Sequence, residues 1–200
     1  MCSSRNDDFD LLCEQEDFAG NFERTDWENR SLELRSVGES QFSSCRFRRC
    51  RFRKVYFSNA VFDRCDFSNT EFSECSFYRC TFRDCKLLGG TLSECSALEC
   101  AFSECNAGML AFGAGKLKNV KFLSCDLAGA SFTDNQVKSL TVTKCNLTHC
   151  EFFRTPLAKV DLSDSEIGGI RISGSELRGA EVSPAQAVLL AGLLGVIVKV

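Results

Sequence analysis

The chain of 200 residues contains one histidine, His149. Metal and acid–base sites need several converging groups, so a lone histidine is expected to be a surface residue. There is no Gly-rich phosphate loop and no nucleophile motif, so no catalytic, cofactor-binding or metal-binding residue is expected and the chain does not read as an enzyme. No apolar run exceeds the twelve residues "AVLLAGLLGVIV", 187–198. A membrane-spanning helix needs about twenty, so no membrane partner is expected. No basic and apolar leader precedes "MCSSRNDDFDLLCEQED", so the fourteen cysteines are read in a reducing cytoplasm and not as a disulfide framework. Positive charge is not in excess either: 24 Lys and Arg stand against 27 Asp and Glu, a net charge of -3. That balance argues against a protein built throughout to hold phosphate backbones, and makes direct nucleic-acid binding a weaker reading.

The charges that are present are unevenly spread. Residues 1–45 carry eleven acids and four bases, 46–54 carry six bases and no acid, and the remainder holds sixteen acids and fourteen bases. The basic stretch "CRFRRCRFRK", 45–54, contains Arg46, Arg48, Arg49, Arg51, Arg53 and Lys54.

The dominant pattern is a period of five. From Phe22 to Val182, 33 successive positions at five-residue steps are all apolar, with no insertion or deletion, and fifteen of the eighteen phenylalanines fall on them. Two residues before each of these centres lies a mostly small residue, and twelve of the fourteen cysteines occupy that position. Neither the helical period of 3.6 nor the strand period of 2 produces this pattern. Side chains two apart in an extended segment point to the same side, so the small residue and the centre both face inward, and the other two residues turn the chain. If each turn is near a right angle, four pentapeptides close a square coil of twenty residues, and coils stack at about the 4.8 Å strand spacing. The predicted architecture is all-β: a quadrilateral β-helix of roughly eight coils, about 40 Å long by that spacing. Steps of twenty align Phe42, Phe62, Phe82, Phe102 and Phe122 in one column and Cys45, Cys65, Cys85, Cys105, Cys125 and Cys145 in another. Like stacked on like is what a narrow interior selects, so the cysteines are expected to act as small packing groups.

Runs such as "CDFSNTEFSECSFYRCTF" resemble the pentapeptide-repeat family, whose members form right-handed four-sided β-helices. The resemblance spans residues 20–184, leaving an acidic segment, 1–19, with Asp7, Asp8, Asp10, Glu14, Glu16 and Asp17, and a tail, 185–200. "QAVLLAGLLGVIV" is similar to the tail of quinolone-resistance members of the Qnr type, with matching Gln186, Ala187, Leu189, Leu190, Leu194, Gly195 and Val198. In that group a short helix and strand join two rods end to end, and the DNA-shaped dimer binds DNA gyrase or topoisomerase IV. The resemblance therefore implies a cytoplasmic homodimer that protects a topoisomerase from a quinolone or a natural gyrase-targeting antibiotic. The register lacks the loop insertions of many Qnr members, as do the Mfp-type relatives.

Two surfaces and one joint follow. On the wall centred at Phe52 and Phe72, Glu71, Glu74, Glu94, Asp134 and Glu151 are expected to form a broken acidic stripe facing the topoisomerase, interrupted by Arg154 and Arg171. Arg46, Arg48, Arg49, Arg51, Arg53 and Lys54 are expected to form a basic collar on two adjacent walls of an early coil, open to an acidic protein or to nucleic acid. The dimer joint is assigned to Gln186, Ala187, Leu189, Leu190, Leu193, Leu194, Val196 and Val198. A scaffold for some other protein partner is the competing function.

Overall fold

The computed structural model describes residue 14, residues 16–193 and residues 195–199. Asp7, Asp8 and Asp10 of the acidic segment, and Leu194 of the tail, lie outside the described residues. The chain is a parallel β-solenoid of about eight turns, closed at its C-terminal end by one helix, α1, Pro184–Leu193. Among the described residues no helix is long and apolar enough to cross a membrane.

Each turn follows from the five-residue pattern. Triplets such as Gln41–Ser43, Arg51–Arg53 and Tyr56–Ser58 are extended with only the central residue buried. From Asn21 on, paired residues are parallel and twenty positions apart: Phe22 with Phe42, Phe42 with Phe62, Phe62 with Phe82. Shifting the register by one residue would turn the core outward, so the period of five locks the stacking. Inside, rings lie flat on rings along each wall and edge-on between walls. Phe42 and Phe62 stack at 4.9 Å and 9°, Phe47 and Phe67 at 4.6 Å and 5°, whereas Phe57 meets Phe62 at 5.9 Å and 72°. Both are favoured arrangements of aromatic quadrupoles.

The corners have a conformation that apolar patterning does not reveal. Every fifth residue from Arg24 to Lys159 has positive φ, and only Gly89 and Gly129 among them are glycines. The left-handed region disfavours L-residues by roughly 1–2 kcal/mol each. Its return is directional: the corner amide points along the axis to a carbonyl of the next coil, as in Arg24 N to Ser43 O at 2.8 Å and Asp134 N to Phe153 O at 2.9 Å. At Gly169, φ +65°, the His149 ring occupies the place a Cβ would take, which accounts for glycine there and lays the exposed histidine against the rod.

The four walls of the coil are not equivalent in backbone pairing. The Phe52 wall is an eight-stranded sheet. The Phe57 and Phe42 walls merge into one twelve-stranded sheet, because Lys116–Leu123 and Gln136–Thr143 run unbroken around their shared corner. The Phe47 wall has single-residue bridges only, Asp26 to Arg46 and onward to Glu166, each followed by a tight turn such as Cys50 N to Phe47 O at 3.2 Å. Pro156 brings the same turn onto the Phe57 wall, since it has no amide to continue the ladder; there Val160 N bonds Leu157 O at 3.0 Å.

The twelve cysteines on the repeat are free and buried. Thiols along the columns donate to carbonyls of the preceding coil, as in Cys65 Sγ to Phe42 O at 3.4 Å and Cys85 Sγ to Phe62 O at 3.4 Å. Burial pushes the Cys150 thiol up to about 12, which suppresses the reactive thiolate.

The C-terminal end is sealed by two side chains. Past Ser173 the chain leaves the coil through Gly174 and the short helix Ser175–Leu177. The Glu176 carboxylate then stands in for the missing coil, accepting from Arg154 N at 2.9 Å, Ser173 N at 3.1 Å and Ser173 Oγ at 2.8 Å. Burial pushes this carboxyl up, but these donors outweigh it and hold it below the ordinary glutamate value. A carboxyl depressed in the folded state stabilises fully above its unfolded value of about 4.3, and that stability is lost as pH falls through the folded value. Glu176→Gln is expected to flatten the dependence of melting temperature on pH between about 5 and about 2. Parallel profiles for the two proteins would contradict the capping role.

Candidate interaction surfaces

Cross-coil spacing dictates the surface electrostatics. Residues twenty apart are neighbours on adjacent coils, as residues four apart are on a helix. The basic collar is stitched into the rod on this rule. Arg46 meets Asp26 at 3.1 Å, Arg48 meets Glu28 at 2.8 Å, and Arg51 meets Glu71 at 3.2 Å. Lys54 reaches Glu74 at 3.4 Å, Arg53 pairs with Glu33 and Glu74, and Arg49 with Glu28. All six collar cations have a carboxylate partner, so the expected open cationic belt is a set of ion pairs across three coils. Exposed pairs of this kind are individually weak and screened by salt, but they leave little charge of one sign to offer a partner.

The acidic stripe is altered by the same contacts. Glu71 and Glu74 are held by the collar, Asp134 pairs with Arg154, and Glu151 with Arg171 at 3.4 Å. Of the five, only Glu94 has no cation beside it among the described residues. The five share one wall as expected, but four are neutralised. Exposed carboxylates without a cation partner gather instead at the corner between the Phe42 and Phe47 walls: Asp84, Glu104, Asp126, Asp164 and Glu166, with Lys86 and Lys144 among them.

The tail separates into an inward and an outward face. Ser183 and Gln186 form a reciprocal cap on α1: Gln186 Oε1 accepts from Ser183 N at 2.8 Å, Gln186 N donates to Ser183 Oγ at 3.3 Å, and Pro184 takes the first helical position. Gln186 Nε2 then donates to Leu162 O and Ser165 O, both at 2.8 Å, covering carbonyls that have no further coil. Leu190 is buried against the rod. Within the single chain Gln186 and Leu190 therefore also serve as the rod's own cap. Ala187, Leu189, Leu193, Val196 and Val198 face outward, as do Val188 and Ile197, which sequence reading passed over. Ile197 is 87% exposed. Contiguous apolar exposure of this kind marks a surface that meets another molecule.

Among the described residues no three His, Cys, Asp or Glu side chains converge on a metal-sized site.

Two family models match the chain: "Pentapeptide repeats (9 copies)" over residues 38–81 and "Pentapeptide repeat region" over 75–152. Among solved structures, the chain is similar to QnrB1, described as a plasmid-mediated fluoroquinolone resistance protein, at 21% identity over 92% of each chain with a TM-score of 0.47. It is also similar to HetL, a pentapeptide repeat protein involved in heterocyst differentiation regulation from the cyanobacterium Nostoc sp., at 13% identity over 90% of this chain and 97% of that one, with a TM-score of 0.36. Rfr23 from the cyanobacterium Cyanothece matches 56% of this chain and 64% of its own, at 13% identity and a TM-score of 0.28. No curated protein matches in sequence.

Proposed function

Because the chain belongs to the pentapeptide-repeat family, we propose that it is a non-enzymatic cytoplasmic protein that binds DNA gyrase or topoisomerase IV as a DNA-shaped dimer. In that role it relieves poisoning by a quinolone or by a natural gyrase-targeting antibiotic. The observation that carries this reading is the outward apolar face of the tail, Leu189, Leu193, Val196 and Val198, set at the end of an uninterrupted rod. Two such faces close a two-fold joint, the commonest soluble symmetry. Two rods of about 40 Å make roughly 80 Å, the length of about 23 base pairs. The mechanism is competition for, or destabilisation of, the drug-trapped cleavage complex, with no bond made or broken in the drug. The negative charge that such a partner's basic DNA-binding surface would meet is at the Asp84, Glu104, Asp126, Asp164 and Glu166 corner, since the Glu71 and Glu74 wall is largely neutralised.

The test is supercoiling by purified gyrase in the presence of a poison and increasing amounts of this protein. Restored supercoiling, diminished by charge reversal at Asp126, Asp164 and Glu166, is the expected outcome. Absence of rescue with any gyrase or topoisomerase IV poison would move the protein to the scaffold reading, with a different protein partner.

A further inference from the structure

The C-terminal half of one wall gathers cations outside the ion pairing that organises the basic collar. In the C-terminal half of the Phe57 wall, Lys116, Lys118, Lys138, Lys159 and Arg178 are all exposed, and among the described residues none lies within ion-pair distance of a carboxylate. Lys118 and Lys138 are direct register partners on adjacent strands. Like charges placed directly opposite on paired strands are destabilising. Elsewhere the residue twenty away from a cation is repeatedly an acid, as at Asp26 and Arg46, Arg51 and Glu71, and Arg79 and Glu99. From residue 96 on, the acids of this wall are engaged: Glu99 by Arg79 at 2.8 Å, and Glu176 in the terminal cap.

We propose that this half of the Phe57 wall is a docking surface for an extended acidic segment of a partner protein. The inference is independent of the topoisomerase reading. Lys118 and Lys138 are register partners one coil step apart, about 4.8 Å, Lys116 lies two residues across from Lys118, and Lys159 and Arg178 continue the positive charge toward the C-terminal end of the wall. An extended peptide presents same-side carboxylates about every 7 Å, so two or three of them fit along the patch. Lysine supplies a point charge without a planar fork, which suits charge density more than bidentate recognition. The patch is one wall wide, bounded by Glu94 and Asp134 at one corner and by Asp161 and Glu181 past the other. A nucleic-acid duplex would press its phosphates against those acids. A single strand would want aromatic platforms, and this part of the wall carries none.

The test uses the full chain and a fluorescein-labelled peptide of about a dozen alternating Glu and Ser residues, followed by anisotropy at roughly 50 mM salt. Binding is expected, weakening as salt rises, and the combined Lys118→Glu, Lys138→Glu and Lys159→Glu variant should bind about tenfold more weakly or worse. Arg51→Gln with Arg53→Gln, which removes paired cations, should leave affinity within about twofold. In wild-type protein, the peptide should also protect Lys116, Lys118 and Lys138 from amine acylation more than Lys86, a readout that does not depend on any variant folding. The proposal is overturned by no peptide binding at low salt, by equal binding to the triple variant, by uniform lysine protection, or by tighter binding of single-stranded DNA of matched charge.

Discussion

Phe62→Ala is expected to destabilise the rod by about 3 to 5 kcal/mol, the range for removing a fully buried phenylalanine from a core that does not collapse around the gap. Phe62 is 1% exposed. Its ring stacks between Phe42 at 4.9 Å and Phe82 at 4.8 Å and meets Phe57 and Phe67 edge-on at 5.9 and 5.3 Å. Collapse is blocked because the backbone on every side is held by ladders to the coils above and below, as where Phe42, Phe62 and Phe82 pair in register. The cavity therefore persists, and the coils on either side lose their contact with each other through it. Phe153 is the matched control: the same residue type, 40% exposed, one step off the repeat centre, with Arg154 over its ring. Phe153→Ala should cost no more than about 0.5 kcal/mol. Urea unfolding followed by far-ultraviolet circular dichroism compares the two. Equal midpoints would contradict the inward assignment of the repeat centre.

Replacing Leu189 and Leu193 together by glutamate is expected to convert a dimer into a monomer that remains folded. Both side chains are exposed in the single chain, at 41% and 48%, so the substitution leaves the rod's own core untouched. In a two-fold joint each change enters twice, placing four carboxylates in an apolar contact without cations. Unpaired charge in a closed interface is costly enough that the dissociation constant should rise by about a thousandfold or more. Sedimentation equilibrium at micromolar concentration reads the mass, and the same variant should lose gyrase rescue. Wild-type protein that already sediments as a monomer at that concentration would remove the joint. Leu190→Glu behaves differently, because Leu190 is buried against the rod; it should lower thermal stability as well as association.

The repeat centres and the small positions were readable from residue types alone, because inward and outward placement in an extended pentapeptide is a local property. Trp27, Leu32, Val37 and the phenylalanines that follow are buried as the period requires, and so are the twelve cysteines. The collar was not readable in this way. Six cations within nine residues look like one basic surface until each is compared with the residue on the neighbouring coil, where Asp26, Glu28, Glu33, Glu71 and Glu74 wait. The capping role of Gln186 was hidden for a related reason. Its amide donates to Leu162 and Ser165 carbonyls that the end of the rod leaves bare, contacts between residues more than twenty apart in the chain.

By itself, the sequence determined the all-β coil, its twenty-residue turn, the columns of phenylalanine and cysteine and the apolar character of the tail, since all of these depend on side-chain direction within a few residues. Tertiary structure decided which charges cancel, which wall becomes turns instead of sheet, and which tail residues face the rod and which face outward. Those outcomes rest on contacts between neighbouring coils and at the rod's end, where hydrogen-bond partners run out and a side chain such as Glu176 or Gln186 must replace them.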